Sequence, residues 1–293
     1  MSTLGATSTP APAMADTDTY ERLLGGVYES WSKVADVCAI ADHGAGIAIL
    51  DVGSGPGEPA CQLKKVFPQA EVTSTDLEAD MVGKAKKRAE RLGVQLKFAV
   101  CGAENLSPFP DASFDVVTAN FVLMFPQNKC RMLEEAMRVL KPGGRLIATV
   151  WKSFDLTELS DEALKRALGE ALPGPTGSHP LALRAPGAVE ELVKEAGLHL
   201  ASSEQCTLTM RWGCDEETAR SNFLFVGRRG LQSMAGAERI QAEIEFLRYM
   251  AEETAKRCLR KADGSYEFHG EYQIVAITRS QEEASKRRKL SDT

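Results

Sequence analysis

Histidine is scarce in this chain of 293 residues: there are four, His43, His179, His199 and His269, and they are dispersed. The seven cysteines, Cys38, Cys61, Cys101, Cys130, Cys206, Cys214 and Cys258, contain no C-x-x-C pair. No zinc constellation can be assembled from such spacing, and an odd, scattered set reads as reduced thiols rather than a disulfide framework. The expectation is a metal-free protein of the cytoplasm. No apolar run approaches the eighteen or more residues of a membrane span. Excess positive charge is also missing, with 35 Lys and Arg against 41 Asp and Glu for a net charge of -6. A broad cationic field is therefore absent, which argues against DNA or RNA as a partner. Residues 1–18, rich in Ser, Thr, Ala and Pro, lack the basic and apolar regions of a secretory signal and read as a disordered tail. Lys286-Arg287-Arg288-Lys289 sits on a polar tail, 281–293, and reads as a solvated end.

What the chain does have is an apolar strand running into closely spaced glycines: Ile49-Leu50-Asp51-Val52-Gly53-Ser54-Gly55-Pro56-Gly57-Glu58. Glycine suits such a turn because it accepts backbone angles other residues resist and lets a ligand approach the main chain. The spacing is G-x-G-x-G, and Glu58 stands where the dinucleotide fingerprint places its last glycine, which argues against a nicotinamide cofactor. Asp51 and Glu58 disfavour a pyrophosphate and suit a cationic ligand. Downstream, Glu71-Val72-Thr73-Ser74-Thr75-Asp76 reads as a strand ending in an acid, and an acid at that position accepts from ribose hydroxyls.

Four motifs in order carry a family resemblance: Leu50 to Gly57; Thr75-Asp76-Leu77 with Met81; Phe109-Pro110-Asp111-Ala112-Ser113-Phe114-Asp115-Val116-Val117; and Arg138-Val139-Leu140-Lys141-Pro142-Gly143-Gly144-Arg145-Leu146. Together they resemble the class I S-adenosylmethionine-dependent methyltransferases, in the small-molecule branch related to the ubiquinone/menaquinone C-methyltransferases. The resemblance spans Ala48 to Trp151. It implies S-adenosyl-L-methionine as cofactor, with Gly53 and Gly55 at its methionine portion, Asp76 at the ribose, Leu77 and Met81 flanking the adenine and Ala103 along its edge. Asp51, Ser54, Gly57, Gly102, Glu104 and Asn120 complete the implied cofactor set. One position departs from the pattern: Cys101-Gly102-Ala103-Glu104 carries Gly102 where relatives commonly have an aspartate for the adenine amino group. Glu104 or a backbone carbonyl is the substitute.

Helical and strand periods alternate along the chain. An amphipathic helix over Tyr20–Ala41 is expected to cover the cofactor mouth, and Tyr28 and Trp31 on it are expected to touch substrate. Strands are expected at Ala48–Val52, Glu71–Thr75, Gln95–Val100, Phe114–Ala119, Gly144–Val150, within His199–Met210 and at Tyr272–Thr278. Helical segments separate the first five, and another spans Val189–Ala196. This is the alternation of an α/β, Rossmann-like doubly wound sheet. The resemblance implies seven mostly parallel strands with an antiparallel last one. One methyltransferase domain over 19–280 follows, with a helical lid inserted at 215–258 from Asp215–Met234 and Ala237–Cys258. The protein is expected as a monomer or homodimer.

Methyl transfer from a sulfonium is an in-line displacement in which alignment and exclusion of water lower the barrier, so a general base is optional. His179, in the loop Pro173 to Pro180, is the base candidate. Phe121, Phe125 and Trp151 follow strands whose ends face the reacting methyl, and Arg184, Arg211 and Arg220 are candidates for gripping a carboxylate. The acceptor expected is a small molecule, such as a carboxylated methionine-derived thioether hydroxy acid methylated on sulfur. N-, O- or C-methylation of an amine, phenol or quinone-like metabolite is the alternative. A non-catalytic adenosylmethionine-binding subunit is a further one.

Overall fold

The computed structural model describes residues 27–38, 46–169, 178–212, 216–231 and 234–279. Expectations for the two tails, for most of the loop at 173–180 and for the outer ends of the first helix lie outside these residues. In chain order the elements are α1 (Tyr28–Cys38), β1 (Ala48–Val52), α2 (Ala60–Val66), β2 (Glu71–Asp76), α3 (Ala79–Leu92), β3 (Lys97–Val100), β4 (Phe114–Asn120), α4 (Lys129–Val139), β5 (Leu140–Phe154), α5 (Asp155–Leu168), α6 (Ala188–Glu195), β6 (Leu198–Trp212), α7 (Glu216–Leu231), α8 (Gly236–Lys256) and β7 (Tyr266–Arg279).

Seven strands form one sheet in the order β3-β2-β1-β4-β5-β7-β6. The first five pair in parallel, and β7 runs antiparallel to both neighbours. Ile49 and Leu50 of β1 and Val116 and Val117 of β4 are fully buried. Such continuous apolar runs are what a parallel strand covered on both faces requires. Strand order reverses direction of growth at β1 and β4, so the crevice beyond their C-terminal ends is where an open sheet of this kind takes a ligand.

One buried acid ties that region together. Asp51 is fully buried, with Oδ1 accepting from the Thr118 hydroxyl at 2.6 Å and Oδ2 from the Ala60 N–H at 3.0 Å. Its carbonyl accepts from the Thr75 hydroxyl at 3.0 Å. Asp51 therefore joins β1 to β4, to β2 and to the start of α2. It braces the turn from inside rather than facing a ligand, which corrects its expected place in the cofactor set.

The sheet departs from expectation at its far edge. β6 and β7 pair along their whole lengths, from Leu198 opposite Arg279 to Trp212 opposite Tyr266, and run past the end of β5 as a two-stranded ribbon. Alternation along the ribbon places Leu208, Met210, Trp212, Tyr266 and Phe268 on a buried face. α5, a helix the periodicity argument did not single out, packs on β7, Phe223 of α7 meets Trp212 and Tyr266, and α8 packs on α5 and α7. Trp212 lies 4.8 Å from Phe268 and 5.9 Å from Phe223 between ring centroids. The inserted helices cross closely because α7 carries glycines at the crossings. A Cβ at Gly227 would lie 2.5 Å from the Phe246 ring, and one at Gly230 would lie 2.8 Å from Leu164.

Two expectations follow. Gly227→Ala normally favours a helix, but here the crowding against Phe246 outweighs that gain, and we expect a net loss of about 1–3 kcal/mol in chemical denaturation. Equal or greater stability would mean that the α7–α8 crossing is looser than described. For Asp51, burial pushes the carboxyl up to about 7 against the hydrogen bonds from Thr118 and Ala60. The folded protein then holds a proton that the unfolded chain releases at ordinary carboxylate pH, so Asp51 lowers stability as pH rises from about 4 to 7, with little change above. Comparing melting temperatures across that range, Asp51→Asn should flatten this component; parallel profiles for the two proteins would contradict it.

Candidate functional site

The turn after β1 has its three glycines at positive φ: Gly53 at 64°, Gly55 at 55° and Gly57 at 103°. Such angles strain any side chain with a Cβ. The turn is stitched to β2 by Ser54 N–H on the Thr75 carbonyl at 2.7 Å, and folds on itself through Gly57 N–H and Glu58 N–H on the Ser54 carbonyl. Gly57 serves packing: a Cβ there would lie 3.1 Å from the Ala85 Cα on α3. Glu58 also turns inward, pairing with Arg88 at 2.9 Å and accepting from Gln62 N–H at 3.1 Å. Its charge is thus met within the protein, which removes the electrostatic part of the argument for a cationic ligand.

Asp76 closes β2 beside this turn. Its Oδ2 accepts from Gly55 N–H at 2.9 Å and its Oδ1 from Glu78 N–H at 3.0 Å. A carboxylate offers about four acceptor directions, so two remain for a diol. Burial pushes this carboxyl above the usual carboxylate range, against backbone hydrogen bonds, those from Glu78 and Gly55 foremost, that hold it down. Next to it Leu77 is 61% exposed, an apolar ledge at the ligand edge of the sheet. Gly102 lies against this ledge, where a Cβ would come within 3.2 Å of the Leu77 Cδ1. Ala103 follows, partly buried. An acid with spare acceptor capacity, a bare glycine turn and an apolar ledge fit the ribose, chain and base of a nucleoside cofactor.

Three other residues of the expected cofactor set are committed elsewhere. Met81 is fully buried and belongs to the core rather than to an adenine pocket. Glu104 accepts from Asn128 N–H at 2.7 Å at the start of α4, and so caps a helix approach. Asn120 accepts from the Thr149 hydroxyl at 2.8 Å and reaches toward the Ser30 hydroxyl on α1 at 3.5 Å. The same Thr149 oxygen accepts from Phe121 N–H at 2.8 Å.

That bond helps hold Phe121 at a φ of 54°, a left-handed conformation unusual for an aromatic residue. The ring stacks on Trp151 at 4.0 Å, and Trp151 stacks on Phe154 at 4.5 Å. Tyr272 of β7 meets both Phe121 and Trp151 edge-on. Trp151, Phe154 and Tyr272 are buried, and only Phe121 of this group is partly exposed; it stands beside the turn, because Val122, next along, lies where a Cβ on Gly53 would come within 2.6 Å. Phe121 and Trp151 were expected near an acceptor. Phe154 and Tyr272 were missed, since each sits in strand alternation that reads as ordinary core. Phe125 is partly buried against the core. On α1, Trp31 is buried and Tyr28 is 54% exposed, with their rings in edge contact.

The expected polar chemistry is not gathered here. His179 Nδ1 accepts from Leu181 N–H at 3.1 Å, and Nε2 faces the Asp161 carboxylate at 3.2 Å. Both ring nitrogens are occupied, so His179 braces its loop and is not poised as a general base. Arg211 pairs with Glu267 at 2.7 Å on the face of the ribbon opposite Tyr266 and Phe268, so it points away from the helical layer. Arg184 lies 3.8 Å from Glu158, and Arg220 is exposed on α7. Among the described residues, no group of three or more His, Cys, Asp and Glu is placed to hold a metal, and no helix is long and apolar enough to cross a membrane.

Comparison with known proteins agrees with this geometry. A family described as "Methyltransferase domain" matches residues 50–148. The chain is 36% identical over 122 residues to a ubiquinone/menaquinone biosynthesis C-methyltransferase of Desulfotalea psychrophila, covering 42% of this chain and 48% of that protein. It is 34% identical over 167 residues to the Bordetella avium protein of the same description, covering 50% and 64%. The chain thus spans about half to two thirds of the length of these curated relatives. Among solved structures, phosphoethanolamine N-methyltransferase 2 of Haemonchus contortus, in complex with S-adenosyl-L-methionine, shares the fold with a TM-score of 0.54 at 18% identity, over 92% of this chain and 58% of that one. Residues 50–148, which hold the glycine turn, Asp76 and the strands that frame them, are thus the part of the chain that is similar to the methyltransferase domain family.

Proposed function

We propose that this chain transfers a methyl group from S-adenosyl-L-methionine to a small-molecule acceptor. The observation that carries the reading is Asp76: a half-buried acid at the end of β2, tied to Gly55 of the glycine turn and left with acceptor directions for two hydroxyls. Gly53 and Gly55 would receive the amino-acid portion of the cofactor, Asp76 the ribose, and Leu77 with Gly102 and Ala103 the base. When bound, the cofactor supplies a methyl group on a sulfonium, an electrophile that needs no metal. The protein's own part is to orient the acceptor and keep water away. Phe121, Trp151, Phe154 and Tyr272 offer a rigid apolar wall for that purpose. A purely cofactor-binding subunit would keep the turn and Asp76 without such a wall, so the wall favours an enzyme.

For the acceptor, the closed hydrogen bonding of His179 favours an atom from which no proton must be taken. A thioether sulfur meets that condition and packs well against aromatic rings. Of the three candidate arginines, Arg220 is the one left for a carboxylate on such a molecule. The flat wall and the quinone-related descriptions of the relatives favour a second reading, a phenol or quinone-like acceptor whose own hydroxyl ionises. Incubating metabolite extract with enzyme and labelled cofactor, and searching for a mass gain of about 14 Da, separates sulfur, oxygen, nitrogen and carbon products once the labelled species is identified.

Asp76→Ala should cost roughly 2–4 kcal/mol of S-adenosylhomocysteine affinity by calorimetry, the worth of two charge-assisted hydrogen bonds in a shielded place. Because the raised Asp76 carboxyl must ionise to accept, wild-type affinity should fall as pH is lowered toward that group's range, and the Asp76→Ala protein should lack this component. Stability loss with affinity unchanged would leave Asp76 a mere turn anchor. Trp151→Ala should raise the acceptor KM by about tenfold or more while cofactor affinity stays put, since the lost packing is on the acceptor side. A variant that loses cofactor and acceptor binding equally would remove the wall from the acceptor site.

A further inference from the structure

The loop between β3 and β4 is held by an ion pair on α4 that the methyl-transfer reading does not use. Glu135 and Arg138 are one turn apart on this helix, and Glu135 is buried. Arg138 places all five of its N–H groups. Nε and Nη2 donate to the two oxygens of Glu135, each at 2.9 Å. Nη2 also donates to the Leu106 carbonyl at 2.9 Å, while Nη1 donates to the Phe109 carbonyl at 2.9 Å and to Asp111 at 2.8 Å. Glu135 in turn accepts from Leu106 N–H at 2.8 Å and from Arg131 at 3.1 Å. Leu106 therefore has both its N–H and its C=O fixed by one buried pair. The Arg138 guanidinium beside Glu135 holds that carboxyl below the usual carboxylate range, so the clamp stays ionised at neutral pH.

The other end of the same loop meets the cofactor site. Cys101 N–H donates to the Asp76 carbonyl at 2.9 Å, and Asn105 N–H closes a turn on the Gly102 carbonyl at 3.0 Å. Gly102 faces the exposed Leu77 ledge. Four residues, 102–105, thus separate the anchor on the ribose acid's strand from the clamp, with a tight turn between, and little slack remains for the segment that borders the base. We propose that Glu135 and Arg138 are positioning residues for the base of the nucleoside cofactor, acting through residues 102–106 to hold Gly102 and Ala103 against Leu77. This rests on the cofactor reading above. A lysine at 138 cannot reproduce the clamp, since one ammonium cannot reach Leu106, Phe109 and both Glu135 oxygens together.

The test uses the full chain as wild type, Glu135→Gln, Arg138→Lys and Asp111→Asn. Calorimetry is run with S-adenosylhomocysteine and with its inosine analogue, which differs in the base alone; amide exchange is followed at Leu106, and melting temperature is recorded. Glu135→Gln and Arg138→Lys should weaken S-adenosylhomocysteine by about tenfold, the scale of a lost charge-assisted contact. They should also narrow the preference for adenine over hypoxanthine and speed exchange at Leu106, with kcat at saturating cofactor little changed. Asp111→Asn, which touches only the outer edge of Arg138, should show the same pattern more weakly. A lowered melting temperature with base preference and affinity intact would make the pair purely structural and overturn the proposal. If the two inner variants do not fold, Asp111→Asn decides: faster Leu106 exchange with unaltered base preference overturns it. Failure of the wild type to bind either nucleoside would instead sink the cofactor reading itself.

Discussion

A carboxylate buried without a counter-ion organises the ligand edge of this sheet. Asp51 reaches Thr118 on β4 and the first turn of α2, and its carbonyl receives Thr75 from β2. A group so deeply desolvated is expensive unless its oxygens find donors, and here they come from β4 and α2. The glycine turn begins two residues later. Its shape is thus set from beneath by Asp51 and from the side by Asp76, which grips Gly55. Two acids divide the labour: one is closed and structural, and the other is open toward the cleft.

The region around Phe121 depends on a different device, local backbone strain held by hydrogen bonds. Phe121 adopts a left-handed conformation that costs of order 1–3 kcal/mol for a bulky residue. It is held there by Thr149, whose hydroxyl is in turn oriented by Asn120. Strain of this kind persists where the surroundings over-determine it. Here the ring is locked in a parallel stack with Trp151, itself stacked on Phe154. The result is a stack, buried apart from Phe121, whose side chains have little conformational freedom left.

Motif residues with a local, backbone-driven role were legible in the chain, and those whose role depends on distant partners were not. Gly53, Gly55 and Asp76 could be read because a positive-φ turn and a strand-end acid have short-range signatures. The seven-stranded, mostly parallel sheet with an antiparallel last strand could be anticipated from the alternation and the family resemblance. Met81 and Glu104 were misread because local position could not reveal that one is sealed in the core and the other bonds to Asn128, 24 residues away. His179 looked available because its partner Asp161 lies on α5, a helix without a clear sequence signature. Arg211 was misassigned by one face. In a ribbon with period-two alternation, neighbouring residues point oppositely, and the extension of β6 as far as Trp212 was not foreseen.

The ribbon has a bearing on how the molecule comes apart. Phe223 of α7 rests on Trp212 and Tyr266, which belong to strands that continue without interruption into the central sheet. Peeling α7 and α8 away would expose that aromatic face, while the sheet could not shed the ribbon without breaking β7 from β5. Local opening is therefore costly, and the two layers should exchange their amide protons as one cooperative unit rather than as a loose flap over a stable base. Sequence variation is then more readily accommodated by replacing side chains around Phe121 than by shortening or exchanging the insertion.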